Sequence, residues 1–202
     1  MKLDALTLDA LTEIFNIGVG QAAHALSQIA GEAVLLTVPQ ISVLSRSQVT
    51  AHMGGAGAAS VSAVRQRFSG VINAETVLMF PAERGLRLVQ MMMGGDLPLE
   101  QLAEMEQEAL SEVGNILLNS VMASVADALK IEFDGALPVV ELTQVQTVLH
   151  PDHDPLAPVL LIDIHFEVAS REVQGLLAFL LDVASRELLE HVLARFLHGV
   201  QA

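Results

Sequence analysis

Two Glu/Asn pairs carry the chemical content of this 202-residue sequence. In the first, Asp9, Glu13 and Asn16 are followed by Pro39; in the second, Glu108, Glu112 and Asn115 are followed by Pro138. Each member of the first set lies 99 positions before its counterpart, and Ala10/Ala109, Leu11/Leu110 and Ile17/Ile116 keep the same offset. A fixed offset with coincident polar residues marks an internal duplication. A carboxylate can pair with a cation. A carboxamide can accept from a water and donate to an oxygen without ionising.

Helices must position these groups. At about 100° per residue, Asp9, Glu13, Asn16 and Gly20 fall within roughly 60° of one another on one helix face. Leu8, Leu11, Phe15, Ala22, Leu26 and Ile29 form the opposite, core-facing stripe. Glu108, Glu112, Asn115 and Asn119 share a face in the same manner. Gly18 and Gly20 each cost a helix about 1 kcal/mol against Ala, so their presence beside an apolar run suggests close approach of something to the backbone. Both Asn side chains are expected to be solvent-accessible beside their Glu carboxylates, on convex surfaces.

The spacing and punctuation predict a helix over 4–30 ended by Gly31. A strand over 33–38, stopped by Pro39, comes next, and then an ambiguous stretch over 41–49. Strands over 61–68 and 71–80 flank a turn at Ser69-Gly70. A helix from Pro81 to about Met93 follows. After the Gly94-Gly95-Asp96 break the order returns. It comprises a long helix from Pro98 to about Lys130, a strand over 131–137, an extended or bent stretch over 140–149, a hairpin over 159–169 and 173–181, and a closing helix over 184–197. The fold class is therefore α/β of the α+β type. We expect one pseudo-two-fold duplicated domain over residues 1–202, with repeats at about 1–97 and 98–202. A mainly antiparallel sheet packs against the long motif-bearing helices. Half a chain would struggle to bury its own core, which favours one domain over two.

Hydrophobic residues make up 52% of the chain, enough for a substantial core. A net charge of −14 argues against a phosphate-backbone binder, so no nucleic acid partner is expected. Trp and Tyr are absent, which weakens base-stacking and membrane-belt readings. No apolar run is read as membrane-spanning, and the N-terminus lacks the apolar centre of a signal peptide. Without cysteine there is no disulfide, thiolate metal site or Cys nucleophile. A cytoplasmic protein without membrane insertion is the simplest expectation.

The pattern of an acidic residue or Ser, three residues, Glu, two residues, Asn, 22 residues, Pro resembles the signature of the CheC/CheX/FliY phosphatases. The N-I-G context of Asn16 and the G-N-I context of Asn115 are similar to CheC, and two signatures in so short a chain point to the CheC type. The resemblance implies hydrolysis of the phosphoaspartate of a CheY-like response regulator in chemotaxis. In that reading Asn16 and Asn115 orient the attacking water, and Glu13 and Glu112 pair with the receiver's lysine. Asp9 and Glu108 are the flanking substrate-binding residues. It implies no cofactor or metal of the chain's own, the Mg2+ being held by the receiver. Glu108 departs from the Ser or Asp usual in the second signature; it keeps a polar side chain and adds length and charge. CheD is a further partner that the resemblance brings in.

Other motifs read more plainly. His150, Asp152, His153 and Asp154 could ligate a metal but suit an exposed, proline-bounded loop. Met91-Met92-Met93 fits core packing at a helix end better than a promiscuous surface. Residues 54–59 are rich in Gly and Ala but lack the Lys and Ser/Thr of a P-loop. His24 has no assigned role. The competing function class is a non-catalytic module that binds a phosphorylated regulator or adapts CheD. A role in a two-component system outside chemotaxis is a third reading.

Overall fold

The computed structural model describes residues 3–38, 40–53, 60–92, 99–149, 156–168 and 171–200. Among the described residues the first half runs in the order α1 (Ala5–Ala30), β1 (Val34–Thr37), β2 (Ile41–Ser45), α2 (Arg46–His52), β3 (Ser60–Gly70), β4 (Ala74–Pro81) and α3 (Ala82–Met92). The second half continues with α4 (Leu99–Leu129), β5 (Phe133–Gly135), β6 (Val139–Gln144), α5 (Val145–Val148), β7 (Pro158–Val168), β8 (Arg171–Leu181) and α6 (Val183–Val200). The first seven elements and the last seven follow one order of types.

The helix ends obey local chemistry. Asp4 caps α1 by accepting from Thr7 N at 2.8 Å. Gly31, at φ 69°, closes it in the left-handed conformation that glycine adopts without steric cost. At the end of α4, Lys130 takes the corresponding positive φ of 56°. The ambiguous stretch over 41–49 resolves into β2 and α2, where Ser45 and Gln48 form a capping box. The expected strand over 131–137 shortens to β5, and 140–149 divides into β6 and α5.

All described strand pairings are antiparallel. The sheet reads β1-β7-β8-β4-β3-β5, with β2 also on β7 and β6 also on β3. Strands are thus exchanged between the two halves of the chain: β1 and β2 pair with β7, while β5 and β6 pair with β3. The order reads alike from either edge.

Alternation along the strands sorts the core into two faces. Towards the long helices point Val64 and Phe68 of β3, Leu78 and Phe80 of β4, Ile162 and Phe166 of β7, and Leu177 and Phe179 of β8. The other face carries Val61, Ala63, Val77, Met79, Leu161 and Ala178 under the short helices α2 and α5. Over Met105–Leu129, α4 is long and apolar enough to cross a membrane by length and composition, which corrects the sequence expectation on that point. Half of its most apolar 18-residue stretch is buried in the fold, as for a core helix of a globular domain.

Candidate active site

The helix α1 buries Leu11, Phe15, Ala22 and Leu26 as its spacing predicts. Leu8 is half-buried, and Ile29 is exposed, which corrects its assignment to the core stripe. Asp9 and Glu13 are exposed on the opposite face, and Asn16 is half-buried beside Phe15. On α4, Glu108 and Glu112 are exposed and Asn115 is half-buried, while Leu110, Val113 and Leu117 face the core. No hydrogen bond joins either Glu to its Asn among the described residues.

The two helices cross antiparallel: Gly18 lies against Val121, and Leu26 and Ile29 line a groove with Met105, Ala109 and Val113. A Cβ at Gly18 would stand 2.7 Å from Val121 Cα and 2.8 Å from Ser120 O, so this glycine is the close approach the sequence suggests. Gly20 has nothing within 4 Å and is not. The groove encloses about 270 Å³, and Glu108 and Glu112 line it. The second motif therefore borders a concave apolar surface rather than the convex one expected.

The Asn side chains are anchored differently. Asn16 Oδ1 accepts from Val38 N at 3.2 Å, across 22 residues of chain. That bond gives the motif's spacing a physical reason. A proline holds the residue before it extended, and that residue's N–H reaches back to the helix. Pro39 itself lies outside the described residues. Ser27 draws the same strand in, donating to Ala23 O at 2.7 Å and accepting from Val34 N at 2.9 Å.

On α4 the partner is a side chain. Asn119 Nδ2 donates to Asn115 Oδ1 at 2.8 Å and to Asn115 O at 2.7 Å. Gln66 Nε2, from β3, donates to Asn119 Oδ1 at 3.3 Å and to Ala136 O at 2.8 Å. Ala136 N donates to Arg67 O at 2.8 Å, which ties this connection to β3. Leu137, 99 positions after Val38, is 89% exposed where Val38 is 4% exposed. Pro138 follows it, half-buried. The sequence grouped Asn119 with the second motif's face without giving it a part, and missed Gln66. The available signal was a glutamine at a helix-facing position of β3, between Val64 and Phe68.

Among the described residues, no group of three or more His, Asp or Glu side chains is placed to hold a metal ion. Residues 150, 152–154 and 54–59 lie outside the described set. Met91 and Met92 are buried as expected, and Met93 is outside it. His24 is exposed and lies 3.3 Å from Gln28 Nε2. A larger cavity of about 570 Å³, lined in part by His52, Arg84, Asp163 and His165, contains no motif residue.

The profile of the CheC-like family matches residues 6–43, the stretch holding the first motif. The CheY-P phosphatase CheC of Bacillus subtilis (strain 168) is 30% identical over 138 residues, 67% of this chain and 66% of that protein. The chain belongs to the CheC-like family. The flagellar motor switch phosphatase FliY of Bacillus subtilis (strain 168) is 28% identical over 145 residues, 71% of this chain and 37% of FliY. The crystal structure of Thermotoga maritima FliY shares the fold, with a TM-score of 0.75 at 22% identity, covering 97% of this chain and all of that one. The mixed α/β architecture with an antiparallel sheet and long helices is that of the CheC/FliY fold.

Proposed function

We propose that this chain hydrolyses the phosphoaspartate of a CheY-like response regulator in chemotaxis signalling, at two sites. One is Glu13/Asn16 and the other Glu112/Asn115, with Asp9 and Glu108 contacting the receiver. The carrying observation is that each Asn has its carbonyl oxygen tied to a donor of the fold, on a helix face whose Glu is exposed. Each amide is so held in one orientation while its neighbouring carboxylate stays free to meet a partner's cation. Support also comes from the phosphatase names of the CheC and FliY relatives. The work required is water placement and electrostatic positioning rather than covalent chemistry. The Mg2+ would come with the receiver, and the chain would act in the cytoplasm. The matched order of elements and the exchange of strands between the halves support one domain of two internal repeats.

A binding role is favoured by a different observation. Leu137, Val139 and Leu142 are exposed along the β5–β6 edge, an apolar patch that fits a protein partner. This reading covers retention of the phosphorylated regulator or an adaptor role toward CheD, and it can coexist with hydrolysis. Phosphate release from a panel of phosphorylated receivers separates the two. The phosphatase accelerates release from at least one receiver in the presence of Mg2+. A pure binder associates with the receiver and leaves its release rate unchanged.

A further inference from the structure

We infer that Asn119 is a positioning residue for the second site, doing for Asn115 what the Val38 N–H does for Asn16. The inference rests on the phosphatase reading for its kinetic test and on geometry alone for the rest.

The direction of the hydrogen-bond chain carries it. A carboxamide looks much the same either way round, so its orientation follows from its partners. Both ends of this chain are backbone carbonyls, which can only accept. Gln66 must turn its Nε2 to Ala136 O, which leaves the same nitrogen facing Asn119 Oδ1. Asn119 must turn its Nδ2 to Asn115 O, which presents the same nitrogen to Asn115. Asn115 therefore offers Oδ1 to Asn119, one turn along α4, and its Nδ2 faces away from Asn119. At the first site a backbone N–H, which can only donate, imposes the same orientation on Asn16. Each amide has its Oδ1 held and its Nδ2 left for another partner, the holding donors being unlike. The need for a substitute is visible in the fold: Leu137 is exposed, and among the described residues no bond joins it to Asn115. Gln66, 2% exposed, holds Asn119 from within the core. Gly20 stands at the position equivalent to Asn119, where no clamp is needed.

The test reads each site alone. In an Asn16→Ala background only the second site remains, and in an Asn115→Ala background only the first. Asn119→Ala in the Asn16→Ala background is expected to lower kcat for receiver dephosphorylation about tenfold, the scale of one lost positioning hydrogen bond, with KM unchanged. Asn119→Asp lowers it further, because a carboxylate cannot donate and draws the Asn115 amide round. Neither substitution changes kcat in the Asn115→Ala background. Independently of activity, the Asn115 side-chain NH2 signals, identified by their loss in Asn115→Ala, shift in the 15N–1H spectrum of Asn119→Asp. Equal losses in both backgrounds would reduce Asn119 to a general structural role and overturn the inference. So would unmoved Asn115 NH2 signals. If the unmodified chain accelerates release from no receiver, the phosphatase reading fails, and the NH2 signals alone decide the role of Asn119.

Discussion

Along α1 and α4, one sequence offset puts Glu13 and Glu112 on exposed faces with Asn16 and Asn115 half-buried beside them. The segments that follow are not equivalent. After α1 the chain turns in, Val38 is buried, and its N–H reaches Asn16. After α4 the chain is tied to β3 through Ala136, Leu137 is exposed, and a side chain supplies the donor instead. The contacts of the helices differ too. Gly18 lets α1 approach the α4 backbone, yet its 99-offset counterpart is the buried Leu117. Gly114 seats α4 on Val64 of β3, yet its counterpart is Phe15, packed on Phe179 at 5.4 Å between ring centroids. The lesson is that the polar face keeps its register while the packing around it is solved separately for each helix.

The largest expected effect on stability comes from the two unlike glycines. Gly18→Ala places a Cβ against immovable backbone, and Gly114→Ala places one 2.4 Å from Val64 Cγ1. Each is expected to destabilise by about 1–3 kcal/mol, as for overpacking in a tight core. Denaturant unfolding of both variants measures it. Because Val64 can shift and the Val121 backbone cannot, Gly18→Ala should be the worse of the two. The reverse order would mean that the α1–α4 crossing gives way more easily than the seat on β3.

Gly20→Ala sharpens the contrast in the other direction. Its site is exposed and open, so the substitution should stabilise α1 by about 0.5–1 kcal/mol. The same unfolding measurement checks it, and a loss of stability would show that Gly20 has a packing duty the structure does not contain.

The smallest effect is at the helix starts. Hydrogen bonds from the Thr7 hydroxyl and N–H hold the Asp4 carboxyl below its ordinary value of 3.8. Those from the Ser185 N–H and hydroxyl do the same for Asp182, at the start of α6. A depressed folded pKa means that the stabilisation is present above the unfolded value and is lost as pH falls through the folded one. Thermal melts between about pH 5 and pH 2 should therefore show a shallower acid loss in Asp4→Asn and Asp182→Asn than in the unmodified chain. An unchanged acid limb in both would remove these caps from the account.

Much of this was legible in the sequence because helix period, proline and glycine act locally. The long helices, the hairpins and the two polar faces follow from such signals, and the 99-residue offset is visible without coordinates. What was hidden depends on which strand meets which helix. Ile29 fits the apolar stripe by angle, but it is exposed beside the groove between α1 and α4. Gln66 is 53 residues from Asn119, and only the β3–α4 contact brings them together. The membrane-length stretch of α4 is masked in the sequence by Glu106, Glu108 and Glu112 near its start, whereas residues 113–126 carry no charge.

The central claim is that the two Asn carboxamides act in phosphate release and not in holding the fold. The decisive measurement is the rate of receiver dephosphorylation by the Asn16→Ala/Asn115→Ala variant at saturating concentration, with affinity for the phosphorylated receiver determined in parallel. Stability should hold, because Ala is the better helix former and both side chains are partly exposed. The account predicts retained binding with acceleration lost by about a hundredfold or more, each single variant keeping part of the rate. A double variant that hydrolyses at the original rate would contradict it.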